Sequence, residues 1–146
     1  MVQQATSSPS GLATALRVST IVLAVSVLIQ AWLGSSGFFQ NEPGRIDIHA
    51  MLGNFMFLVA VVQVGLAFYA MPKGLASRNV LILAGVTVLL LIAQIGLGYS
   101  TRGDNAIDAL AWHLPNGVLL MGVTTVTAVL AWNAPADGSR EDRITG

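Results

Sequence analysis

The sequence predicts an all-α integral membrane protein, a four-transmembrane-helix antiparallel bundle built from two repeated helical hairpins. Three observations predict it. Of 146 residues, 54% are hydrophobic and 10% charged, against about 25% charged in an average soluble domain, and the mean hydropathy is +0.71. Four apolar runs approach or exceed the roughly 20 residues an α-helix needs to cross hydrocarbon. Finally, sliding the chain on itself by the 64 positions from His49 to His113 superposes scarce residues without a gap: Gln30 on Gln94, Gly34 on Gly98, Ser36 on Ser100, Asn41 on Asn105 and Gly53 on Gly117. The apolar matches that follow, such as Val59 with Val123 and Leu66 with Leu130, carry little weight in so hydrophobic a chain.

Residues 1–12 hold too little apolar content to order themselves and are expected to form a mobile tail, as is 134–146. The transmembrane domain then spans 13–133, with repeats at about 13–70 and 78–133. The first span, about 16–35, is longer than the apolar region of a secretory signal and carries Gln30 and Gly34, which the repeat needs, so it is read as retained. The second, 46–70, carries His49 and Gly53 near its start. A short polar turn at 71–79 leads to the third span, 80–99, with Gln94 and Gly98 near its end. The fourth, 109–132, opens on His113 and Gly117; Pro115 either starts or kinks this helix and so aims the histidine. Longer connections are expected at 36–45 and 100–108. The runs are continuous rather than alternating, so helices rather than barrel strands satisfy the backbone in lipid.

Charge sets the orientation. Arg17, Lys73, Arg78, Arg140 and Arg143 fall on one side, whereas the opposite loops hold Arg45 and Arg102 with Glu42, Asp47, Asp104 and Asp108. The positive-inside rule makes both termini cytoplasmic in a multi-pass protein of the cell membrane. Trp32, Phe38, Phe39, Tyr99 and Trp112 then mark the outer interface, and Tyr69 and Trp132 the inner one. The net charge is zero and no basic run exists, so nucleic acid is not an expected partner. The absence of cysteine excludes disulfides, iron–sulfur clusters and thiolate or covalent haem attachment.

Each repeat contributes two spans, so the copies run in the same direction and both histidines sit on the same side, two or three residues inside the outer ends of their helices. In a sequentially wound bundle the second and fourth helices are diagonal, and both imidazoles point to the middle. Two imidazoles are a poor zinc site, which wants three or four protein ligands. They are a complete axial set for haem iron, and a six-coordinate iron suits electron transfer. Gly53 and Gly117 lie one turn deeper than their histidines on the same face and would let a macrocycle approach the backbone; Gly34 and Gly98 would clear space in the same way. Arg45 and Arg102 are the cations placed to meet propionates, or else they pair with Asp47, Asp104 or Asp108. Gln30 and Gln94 either hydrogen-bond the axial imidazoles or join helices to one another.

These stretches, V-L-I-Q-A-W-L-G, R-I-D-I-H-A-M-L-G, L-I-A-Q-I-G-L-G and A-W-H-L-P-N-G-V-L-L, resemble one four-helix half of haem A synthase over roughly 18–132. The resemblance implies a single bundle in which His49 and His113 are axial haem ligands. It does not extend to that family's hydroxylation chemistry. Ile46 stands where the family usually has a glutamate and Ala50 where it has an arginine; the outer-loop cysteine pair is missing, and the chain carries one bundle's worth of helices rather than two. Asp47 lies about 100° around the helix from position 46 and would not point the same way.

The expected function is therefore that of a membrane protein binding one non-covalent, bis-histidine b-type haem (heme b) near the outer face. It would serve as a one-electron carrier or as the haem-bearing subunit of a larger membrane complex, and a lone haem near one surface requires a redox partner. The alternatives are a chlorophyll-type pigment subunit, a haem-modifying enzyme working as a homodimer, and a cofactor-free assembly subunit. An electron-transfer or accessory role is favoured over an enzyme.

Overall fold

The computed structural model describes residues 10–102 and 106–136. The expected tails over 1–9 and 137–146, Asn105 of the repeat, and the charges Asp104, Arg140 and Arg143 lie outside the described residues. Among the described residues the chain forms four long helices, α1 (Gly11–Phe39), α2 (Pro43–Ala70), α3 (Arg78–Ser100) and α4 (Ala106–Trp132). Each is long and apolar enough to cross a membrane.

The helices outrun the apolar segments that announce them, because their ends are specified by polar chemistry that hydropathy does not register. Ser10 takes an extended conformation and accepts from the Ala13 amide, so α1 begins at Gly11, inside the stretch expected to be a tail. Ser77 does the same for α3 through the Val80 amide. The connection expected over 36–45 shrinks to residues 40–42. Pro43, whose fixed φ suits the first turn, opens α2, and Asn41 reverses the chain at φ 54°. Arg45 thereby moves from a loop into the first turn of α2. The connection expected over 100–108 likewise gives up Ser100 to α3 and 106–108 to α4. Pro115 lies inside α4 rather than at its start. Between α2 and α3 a single 3-10 turn, Met71–Lys73, ends on Gly74 at φ 69°, a left-handed conformation that costs glycine little.

The principal packing is of α1 on α2 and α4, and of α3 on α2 and α4. One core cluster joins Ala13 and Leu16 from the start of α1, Ala67 and Ala70 from the end of α2, Val80 from the start of α3 and Ala131 from the end of α4. These four helix ends therefore meet at one level. A second cluster, Leu23, Val27, Met56, Ala60, Leu91 and Leu120, fills the middle. The alanines let backbones approach closely, the usual means of joining helices where lipid removes the hydrophobic drive between them. Buried threonines return their hydroxyl protons to their own helices, Thr20 to the Arg17 carbonyl, Thr87 to Leu83 and Thr127 to Val123. The outside is apolar, with Leu28, Phe55, Leu58, Leu89 and Val118 all exposed. So are the aromatic residues Trp32, Phe38, Phe39, Tyr69, Tyr99, Trp112 and Trp132.

Candidate functional site

His49 lies six residues beyond the start of α2 and His113 seven beyond the start of α4. Both are about two turns in, some 9–10 Å along the axis, and so deeper than the apolar runs alone imply. The fold brings the two rings together, with centroids 6.0 Å apart and planes inclined by 56°. Both side chains are partly buried.

What places them is a reciprocal fit written twice. Gln30 and Gly34 are four apart on α1, and His49 and Gly53 are four apart on α2, so each pair shares a helix face one turn long. Where the two faces meet, each large polar side chain lands on the other helix's glycine. A Cβ on Gly34 would stand 3.0 Å from His49 Cε1, and one on Gly53 would stand 2.9 Å from the Gln30 amide nitrogen. The second repeat does the same: a Cβ on Gly98 would stand 3.2 Å from His113 Cε1, and one on Gly117 would stand 3.2 Å from the Gln94 amide nitrogen. The four glycines thus receive imidazole and amide groups.

The two repeats differ in how the imidazoles are bonded. His49 Nδ1 is 3.0 Å from the backbone carbonyl of Gln30. A carbonyl only accepts, so Nδ1 carries the proton and, in the neutral ring, Nε2 keeps its lone pair. The Gln30 side chain takes no part, and its Oε1 is buried without a hydrogen-bond partner. On the other side the Gln94 side chain is engaged. Its Nε2 lies 3.0 Å from His113 Nε2, and its Oε1 accepts from Asn116 Nδ2. Asn116 also donates to the Leu90 carbonyl at 3.0 Å. His113 Nδ1 is buried and has no partner.

Arg45 donates to the Gln40 side chain and stands 5.6 Å from the Trp32 ring centre; Arg102 stands 5.4 Å from the ring centre of Tyr99. Each guanidinium is thus held at the end of the molecule where the histidines lie, over an aromatic face. Asn116 is the site residue that sequence reading misses. Its counterpart under the repeat is Leu52, so the duplication that exposes the other positions hides this one. Its spacing three residues after His113, on the same helix face, is the signal that was there to be read.

Among the described residues no group of three or more histidine, cysteine, aspartate or glutamate side chains is placed to hold a metal ion. No protein-family model, no curated protein and no solved structure matches this chain.

Proposed function

We propose that the four helices cross a lipid bilayer as an antiparallel bundle of two repeated hairpins and bind one non-covalent b-type haem through His49 and His113. Arg17, Lys73 and Arg78 orient both termini to the cytoplasm, which puts the haem near the outer face. The observation that carries this reading is the meeting of two repeat-related imidazoles, with ring centres 6.0 Å apart. Two imidazole nitrogens bound to opposite faces of one metal at about 2 Å each hold their ring centres roughly 6 Å apart. The donor set fits as well. His49 holds its proton on Nδ1 and leaves Nε2 as the coordinating nitrogen, while His113 Nε2 lies 3.0 Å from the Gln94 amide nitrogen and would have to leave it to coordinate.

Bound there, the iron would supply one-electron exchange with no coordination position left open. The chain's own contribution is to fix the tautomers, to keep water from the ring pair with apolar helices, and to offer Arg45 and Arg102 to the propionates. A single haem near one face cannot carry electrons across a bilayer, so the protein works as a one-electron carrier or haem-bearing subunit beside a redox partner in a membrane complex.

The test is an absorption spectrum of the detergent-purified protein. A sharp Soret band with α and β bands on reduction is expected, and His49→Ala and His113→Ala should each turn it into a five-coordinate or empty spectrum. Red absorption would assign a chlorophyll-type pigment instead. A featureless visible spectrum, or spectra identical in wild type and both variants, would end the proposal.

A further inference from the structure

The hydrogen bonds around His113 form a chain whose polarity is fixed from one end. It starts at the Leu90 backbone carbonyl, which can only accept, so the group 3.0 Å from it must be the Asn116 NH2. The same NH2 faces Gln94, whose side chain must present its oxygen there. The Gln94 NH2 is therefore turned toward His113 Nε2, 3.0 Å away, and that nitrogen must be the acceptor. The lone pair that would bind a metal is already covered by an amide proton. His49 has no such cover, because Leu52 stands in the place of Asn116 and the Gln30 side-chain oxygen is left unpartnered.

A second seat exists for His113. The Gln94 backbone carbonyl is the counterpart, under the 64-residue repeat, of the Gln30 carbonyl, yet His113 Nδ1 closes no hydrogen bond. His49 has made the equivalent bond, Nδ1 to the Gln30 carbonyl at 3.0 Å. If His113 moves to that seat, Nδ1–H gains a partner and Nε2 comes off the Gln94 amide with its lone pair free.

We propose that Asn116 makes His113 a gated ligand: by anchoring the Gln94 amide over His113 Nε2 it leaves His49 as the first axial ligand and His113 as the second, engaged only once its ring has shifted onto the Gln94 carbonyl. The order of ligation rests on the haem reading above, whereas the gate is a property of the apoprotein. Asn116 is a positioning residue that acts through Gln94.

The gate is tested without haem by nitrogen NMR of the histidine side chains in the detergent-solubilised apoprotein, with His49→Ala assigning the two rings. In the wild type both rings are expected as Nδ1–H tautomers, with the His113 Nε2 resonance displaced as a hydrogen-bonded acceptor. Asn116→Leu, which installs the first repeat's residue, should move that resonance to the position of His49 Nε2. Gln94→Leu removes the cover itself and serves as the second variant should Asn116→Leu fold poorly. Coincident Nε2 resonances in the wild type, or a His113 resonance unmoved by both variants, would overturn the gate. Rapid mixing with hemin tests the order. A five-coordinate, high-spin phase should precede the six-coordinate, low-spin one, and Asn116→Leu should speed the second step about three- to tenfold, the change expected from losing one hydrogen bond. A wild type that becomes six-coordinate in one phase overturns the order, and a chain that takes up no hemin removes the haem reading while the NMR result still decides the gate.

Discussion

Gly34 and Gly98 are the positions that bear directly on the two imidazoles. A methyl group on Gly34 would press on His49 Cε1 at 3.0 Å and on Nδ1 at 3.1 Å; on Gly98 it would meet His113 Cε1 at 3.2 Å and Nδ1 only at 3.6 Å. On the proposed haem reading, Gly34→Ala should therefore lower the haem retained per protein several-fold and Gly98→Ala less, measured as the Soret to protein absorbance ratio after gel filtration. Gly122→Ala is the control: nothing lies within 4 Å of the new methyl, and helix propensity should add about 0.5–1 kcal/mol of stability with an unchanged spectrum. Gln63 gives the opposite kind of residue prediction. It is 1% exposed and its side-chain oxygen has no partner. It stands 14 residues along α2 from His49, about 21 Å away. Removing an unsatisfied buried acceptor relieves a cost of about 1–3 kcal/mol, so Gln63→Leu should raise resistance to SDS unfolding by about 1 kcal/mol and leave the haem bands in place. The pairing of the histidines was legible because a gapless repeat carries equal residues to equal places. The partners of the glycines were not, because a glycine's neighbour depends on how two helices register against each other, and hydropathy carries no information on that.

At the scale of the element, the four spans were legible and their ends were not, for one physical reason. A run of apolar residues reports the part of a helix that meets hydrocarbon, whereas the terminal turns stand in water or headgroups and are decided by caps. Ser10, Ser77 and Pro43 each shift a boundary that apolarity alone would misplace. Moving Arg45 and His49 deeper into α2 follows directly from Pro43. The Q-x-x-x-G of α1 against the H-x-x-x-G of α2, repeated in α3 and α4, works as a register device: sliding either helix by one turn would set a glutamine or a histidine against a residue with a side chain. The caps guard the other end of the same helices. Ser77→Ala, which removes the side-chain acceptor of the Val80 amide and leaves it the Ser77 carbonyl at 3.1 Å, should cost about 1 kcal/mol, read as a lowered midpoint of SDS unfolding. Ser77→Asp should recover most of it, since aspartate is an equally good cap and its charge favours a helix N-terminus. If alanine and aspartate behave alike, the start of α3 is held by Leu75, Ala76 and Val80 in the core rather than by the cap.

For the whole molecule the weak point of a ring of four helices is the seam that no connection closes. The short links after α1, α2 and α3 hold three of the contacts, but α1 and α4 are joined only by side chains and terminal backbone. Arg17 bridges that seam. Its Nη2 donates to the Ala134 carbonyl at 2.6 Å, its Nε lies 3.3 Å from the Ala131 carbonyl, and its guanidinium stands 5.6 Å from the Trp132 ring centre. The Ser10 amide adds a bond to the Ala136 carbonyl at 3.0 Å. Sequence reading counts Arg17 only as one of the charges expected to orient the protein; the structure gives it a second task, binding carbonyls at the end of α4 and just past it, where a cation is favoured by the helix dipole. Arg17→Ala should cost about 1.5–3 kcal/mol, the range for hydrogen bonds to a charged group, and should speed amide exchange at the α1 start and α4 end. Arg17→Lys keeps the charge but cannot present two donors in a fixed fork, so it should not recover the seam. The histidines lie at the far end of the bundle from Arg17, so the absorption spectrum should not move in either variant. A loss of haem bands in Arg17→Lys with unchanged exchange at the seam would mean that the two ends of the bundle are coupled, and that the site depends on the closure of the whole ring.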